Sequence, residues 1–107
     1  MRNPPDDSVA SARTAARGFL ADLREHADHA GSPGWVSIPT LVQRIAEEAT
    51  RTAADWPTHT GRHRFLVELA SEARSEWTVQ REPNGLRAQF YDALHRRINA
   101  MVEEERP

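Results

Sequence analysis

His59, Arg62, His63 and Arg64 form the densest run of guanidinium and imidazole side chains, and Arg81 and Arg87 follow on the two sides of a proline-glycine turn. A guanidinium pairs bidentately with phosphate and stacks on bases, so Arg62, His63, Arg64, Arg81 and Arg87 are the candidate nucleic-acid contacts. The competing reading is a solvated surface on which Glu68, Glu72, Glu76 and Glu82 neutralise these charges within a turn or across a loop. Arg13, Arg17 and Arg24 share one face of a helix and could extend a basic stripe, although such a stripe is also the ordinary wet side of an amphipathic helix.

Two histidine pairs have spacings that can place two imidazoles on one metal: His26 with His29, and His59 with His63. Nothing marks a third or fourth ligand, and neither pair sits in a His-Glu-x-x-His frame, so no metal site is expected. No Gly-x-Ser-x-Gly elbow and no glycine-rich phosphate loop occurs among the five glycines. Carboxylate neighbours such as Glu47-Glu48 and Glu103 to Glu105 fall on faces expected to be solvated. The residues therefore predict a non-enzymatic chain with no catalytic residue and no cofactor. Trp35, Trp56 and Trp77 are evenly spaced, yet their neighbours do not repeat, so packing is the expected role of each unless one is exposed enough to stack on a base.

The elements that must position these residues begin with one domain, since 107 residues are too few for two of ordinary size. Residues 1–7 read as a flexible lead and 8–107 as a single domain. Three Trp and three Phe argue for a folded core. A formal net charge of −2 gives no global attraction to nucleic acid, so any such binding needs a local basic face. All 14 basic residues are Arg, a bias that a GC-rich genome could produce as easily as selection for guanidinium chemistry, and we read it as mostly genomic. The absence of Cys excludes disulfides and thiolate chemistry. No apolar run approaches the roughly 20 residues of a membrane helix, and the polar Met1 to Asp7 start is unlike a secretory signal, so the expected address is the cytoplasm.

Asp7 or Ser8 can cap a first helix from about Ser8 to Ala30, on which Val9, Ala12, Ala16, Phe19, Leu20, Leu23 and Ala27 recur at helical spacing. Gly31, Pro33 and Gly34 end it, and Trp35 to Ile38 is aromatic and β-branched enough for a short strand. Pro39 suits the first turn of a second helix, whose stripe of Leu41, Val42, Ile45, Ala46, Ala49 and Ala53 runs to about Asp55. A third helix from about Gly61 to Ser75 carries Leu66, Leu69, Ala70 and Ala73.

Two readings compete from Trp77 onward. In the favoured one, Trp77 to Arg81 and Leu86 to Phe90 are strands joined by the turn Glu82-Pro83-Asn84-Gly85, which makes a β-hairpin. In the other, the third helix runs on to Arg81, Pro83 breaks it, and Asn84 caps a helix bearing Leu86, Phe90, Leu94, Ile98 and Met101. The first gives a mainly α, winged-helix-like fold with three helices, a β-hairpin wing and a C-terminal helix. The second gives an all-α four-helix bundle. Both make Asp92 to Glu105 helical.

Gly34-Trp35-Val36-Ser37-Ile38-Pro39-Thr40-Leu41 follows a helix with Phe19, Leu20 and Leu23, and is itself followed by Trp56-Pro57, Gly61, Phe65-Leu66 and the Trp77 to Phe90 segment. Over about residues 17–90 this order resembles the winged-helix domains of the LOTUS (OST-HTH) type. The resemblance implies a module that binds RNA, some members favouring guanine-rich RNA, or that docks another protein. Bacterial examples are often joined to a nuclease domain, which these residues do not contain, so the resemblance implies a stand-alone adaptor or a piece of a longer protein. The alternatives are a DNA-binding regulator and an all-helical interaction partner that dimerises through Leu94, Ile98, Met101 and Val102 if those residues lack a core of their own.

Overall fold

Three hydroxyl side chains start three of the helices. Ser8 Oγ accepts from the Ser11 amide at 3.0 Å, Ser37 Oγ from Thr40 at 3.4 Å and Thr58 Oγ1 from Gly61 at 3.0 Å, each satisfying an amide that a first helical turn leaves unpaired. The computed structural model describes residues 5–29 and 33–105. Within them lie α1 (Val9–Asp22), α2 (Arg24–His29), α3 (Ile38–Ala53), α4 (His59–Thr78) and α5 (Leu86–Glu104), and no strand. Gly34, at φ 82°, holds a left-handed conformation between α2 and α3 that a side chain would resist.

Arg13 pairs with Glu68 at 3.5 Å and Arg17 with Glu72 at 3.2 Å. The two pairs advance together, so α1 and α4 run parallel. His59 lies 3.7 Å from Glu105 at one end of α4, while Trp77 stacks on His95 at 5.3 Å towards the other, so α4 and α5 are antiparallel. The short corner between Ala53 and His59 turns α3 back against α4. The four long helices therefore alternate up, down, up, down, with α2 a short extension of α1 beyond a break at Leu23. The α4–α5 pair is central: α1 packs on α4, while α2 and α3 pack on α5.

Phe65, Leu69, Phe90, Tyr91, Leu94 and Ile98 are fully buried. Phe65 takes Trp56 in a stacked contact at 4.7 Å and Phe19 edge-on at 6.1 Å, which ties α1, the α3–α4 corner and α4 together. Each such side chain stabilises the fold by about 1.5–3 kcal/mol relative to exposure, far more than helix propensity supplies per residue.

The mainly helical expectation holds, whereas the hairpin at 77–90 is absent. The turn itself is present, with the Gly85 amide donating to the Glu82 carbonyl at 2.9 Å, but both flanks are helical. Trp77 extends the stripe of Leu66, Leu69, Ala70 and Ala73 and packs on His95, and Phe90 extends the stripe of Leu94 and Ile98. Burial of both stripes outweighs the brief alternation of Trp77, Val79 and Arg81. Gly85, not Asn84, precedes α5, and it supplies no side-chain cap. The strand expected at Trp35 to Ile38 is likewise absent: Ser37 caps α3, and Ile38 is already helical. The first helix breaks at Leu23, and its expected end at Ala30 lies outside the described residues. Leu94, Ile98 and Met101 are buried in the chain's own core, which removes the stated reason for dimerisation through α5.

Candidate functional site

The first turns of α4 gather His59, Arg62, His63 and Arg64 as the sequence predicts, but the chain itself engages one guanidinium nitrogen of each arginine. Arg62 Nη1 donates to the Trp56 carbonyl at 2.9 Å, and Arg64 Nη1 donates to the Asp7 carbonyl. The segment just before α1 lies across this end of α4. Trp56 Nε1 donates to the Asp6 carbonyl at 3.2 Å, and the Thr58 hydroxyl donates to Asp7 Oδ2 at 2.7 Å. Asp7 thus brings a carboxylate to the positive end of the helix dipole, where an anion is favoured. Asp6 and Asp7, expected to belong to a flexible lead, are tied to the fold, while residues 1–4 lie outside the described residues. Hydrogen bonds from the Ser8 hydroxyl and amide hold the Asp6 carboxyl below its usual range.

His59 and His63 stack at 6.4 Å, and the Nε2 atom of each is buried with no hydrogen-bond partner among the described residues. Among those residues no three His, Cys, Asp or Glu side chains are grouped so as to hold a metal ion. His29 stacks on Trp35 at 4.3 Å.

Arg81 and Arg87 do not join this cluster. They lie beyond the far end of α4, about 20 Å from Arg64 along a helix that rises ~1.5 Å per residue. Arg87 pairs with Asp28 at 3.1 Å, whereas Arg81 is exposed and has no ion-pair partner among the described residues. The five predicted contacts therefore fall into two groups at opposite ends of the bundle. Glu68 and Glu72, expected to neutralise them, pair instead with Arg13 and Arg17.

The end that carries Arg81 and Arg87 also exposes large apolar side chains. Trp35 before α3, Val79 after α4 and Leu86 at the start of α5 are 49%, 69% and 43% exposed. The stacking of Trp35 on His29 and the Asp28–Arg87 pair beside it connect Trp35 to Leu86 across α2. Of the three tryptophans, Trp56 is buried, Trp77 half-buried and Trp35 exposed.

Clefts among the described residues lie elsewhere. One, of about 370 Å³, opens between α3, α4 and α5 over Leu66 and Met101. Its one hydroxyl, Thr50, donates to the Ala46 carbonyl at 3.0 Å. Another, of about 230 Å³, lies between α1, α4 and α5 with Tyr91 lining it. Burial, then the Glu76 charge, raises the Tyr91 hydroxyl above its usual range, against the opposing pull of Arg87 and Arg24.

Sequence reading missed this second cleft and the docking of Asp6 and Asp7. One signal for the α1–α4 pairing was available: Arg13 and Arg17 have the same four-residue spacing as Glu68 and Glu72, as two helices in parallel register require. Neither protein-family models, nor curated proteins, nor solved structures give a match to this chain.

Proposed function

We propose that the chain is a non-enzymatic, all-helical protein-interaction module, and that it binds through the end of the bundle where α4 finishes and α3 and α5 begin. The observation that carries this reading is the exposure of Trp35, Val79 and Leu86 at that one end. Single exposed apolar residues are ordinary, but three large ones at one end of a small domain favour a covering partner. Arg81 and Glu82 adjoin Val79, and both are exposed without an ion-pair partner among the described residues. Such a pair of opposite charges is self-complementary about a two-fold axis, so the partner proposed is a second copy of the chain. Thr50, the hydroxyl of the larger cleft, donates to a carbonyl of its own helix, which favours a binding role over catalysis. No helix among the described residues is long and apolar enough to cross a membrane, and a cytoplasmic address accompanies the proposal.

Sedimentation equilibrium over a wide range of protein concentration tests this. A dimer that dissociates when Trp35 and Val79 are both changed to Ser supports it. A monomer at every concentration, or a dimer indifferent to the two changes, removes it.

The LOTUS-like, RNA-binding role is a second proposal, with a DNA-binding regulator as its variant. It is favoured by Arg62, His63 and Arg64 sharing the start of α4, and disfavoured by the internal hydrogen bonds of Arg62 and Arg64 and by the helical form of residues 86–90. Fluorescence anisotropy of labelled single-stranded RNA, guanine-rich RNA and duplex DNA decides it. Selective binding that survives physiological salt and disappears in Arg62→Ala/Arg64→Ala supports it, and equal, salt-erased or absent binding removes it.

A further inference from the structure

The arginine–glutamate ladder between α1 and α4 stops one rung early. Arg13 meets Glu68 and Arg17 meets Glu72, but the next carboxylate along α4, Glu76, comes level with Leu20 and Ala21, which offer no charge. α1 then breaks at Leu23, and Arg24 starts α2 out of register with the ladder. Among the described residues neither the Arg24 nor the Glu76 side chain has an ion-pair partner.

The missing rung leaves the cleft of about 230 Å³, which Arg24 and Glu76 both line. Leu20 and Ala21 make an apolar wall, the Arg17–Glu72 pair stands at one side, and the buried Tyr91 contributes the floor. Burial and the Glu76 charge oppose ionisation of Tyr91 more than Arg87 and Arg24 favour it, so its hydroxyl is a neutral hydrogen-bonding group in the cleft lining. The cleft is smaller than the roughly 300 Å³ at which pockets for drug-sized ligands begin.

We propose that this cleft binds a small zwitterion of the α-amino-acid type, with its ammonium on Glu76, its carboxylate on Arg24 and a short apolar side chain against Leu20 and Ala21. A simple anion would meet the carboxylates of Glu72 and Glu76, and a simple cation would meet Arg17 and Arg24. A ligand carrying both charges answers both walls, and a built-in separation of charge costs it little ordering on binding. The proposal is independent of what covers the apolar end of the bundle.

The test is a titration of the intact chain with L-alanine, followed by backbone amide NMR, with acetate and methylammonium as half-ligands. Saturable shifts are expected in residues 20–24, 72–76 and 87–91, with each half-ligand weaker by about tenfold or more. Arg24→Gln and Glu76→Gln, both surface changes whose spectra report directly on folding, are each expected to weaken L-alanine by about tenfold. Shifts that never saturate, acetate binding as well as L-alanine, or affinity unchanged in both variants would overturn the proposal.

Discussion

The Asp7 carboxylate lies directly over Gly61, so close that a Cβ on Gly61 would stand 2.3 Å from Asp7 Oδ1 and 2.6 Å from Trp56 Cδ1. Gly61 is helical with an ordinary backbone, so it is space and not conformation that excludes a side chain there. The same contact brings the start of the domain onto the α3–α4 corner, where Thr58 donates to the carboxylate and caps α4.

Gly61→Ala is therefore expected to destabilise the chain by about 1–3 kcal/mol, the usual cost of overpacking. Gly18→Ala is expected to do the reverse. Nothing lies within 4 Å of a Cβ at Gly18, which sits inside α1, and alanine there should add about 0.5–1 kcal/mol through helix propensity. Urea unfolding of the two variants should move the midpoint in opposite directions, and a stable Gly61→Ala protein would contradict the close approach of Asp7.

Parallel packing of α1 on α4 makes the arginine–glutamate ladder reversible in a specific way. Arg17→Glu places a carboxylate against Glu72 and should lower stability by about 0.5–1 kcal/mol at low salt, and adding Glu72→Arg in the same chain should recover most of the loss. Thermal unfolding at two salt concentrations measures both effects, which should shrink as salt rises. No recovery in the double variant would mean that the register is wrong.

Phe65 joins three parts of the fold through Trp56 and Phe19, and it is wholly buried. Phe65→Ala should cost about 3–5 kcal/mol, enough to unfold a marginal domain of this size. Phe65→Leu retains most of the apolar volume and should cost much less. Circular dichroism in urea separates the two outcomes, and a mild effect of alanine would mean that the aromatic cluster is not the centre of the core.

Tyr91 is the sole tyrosine, so near-ultraviolet absorbance reads its ionisation without interference from another phenol. Its hydroxyl should titrate above 10.0 in the folded chain and close to 10.0 in urea. Because the unfolded chain gives up this proton first, the contribution to stability is intact below pH 10.0 and is lost as pH rises through the folded value. Tyr91→Phe should remove that part of the alkaline loss. An unshifted native titration would contradict the burial of the hydroxyl.

The helical character, the first turn of α3 at Pro39, the turn at Glu82 to Gly85 and the stripes of α3 and α4 were all legible in the sequence. They depend on local spacing, on proline and glycine geometry and on apolar periodicity, which act within a few residues. The segments Trp35 to Ile38 and Trp77 to Phe90 were misread because short apolar runs satisfy strand and helix patterns alike. The packing of Trp77 on His95 and of Phe90 among the core residues settles the second segment as the end of α4 and the start of α5, while residues 35–37 form the approach and cap of α3.

The candidate site was legible in part. Arg62, His63 and Arg64 do share one turn-rich corner, as their spacing requires, but Arg81 and Arg87 could be placed beside them only by a hairpin that folds back, and a helix carries them to the opposite end instead. The partners of the charges were out of reach too: Arg17 finds Glu72 and Arg64 finds Asp7 across more than 50 residues of chain.

By itself the sequence determined that this is a cysteine-free chain with helix-forming stripes, breaks at its glycines and prolines, and no catalytic or metal-binding signature. Tertiary structure alone decided which charges are already used and which remain open: Glu76 and Arg24 across a missing rung, and Trp35, Val79 and Leu86 at one end of the bundle. The physical reason is range. Helix periodicity and capping act between near neighbours, whereas charge pairing and burial depend on which faces of distant helices meet.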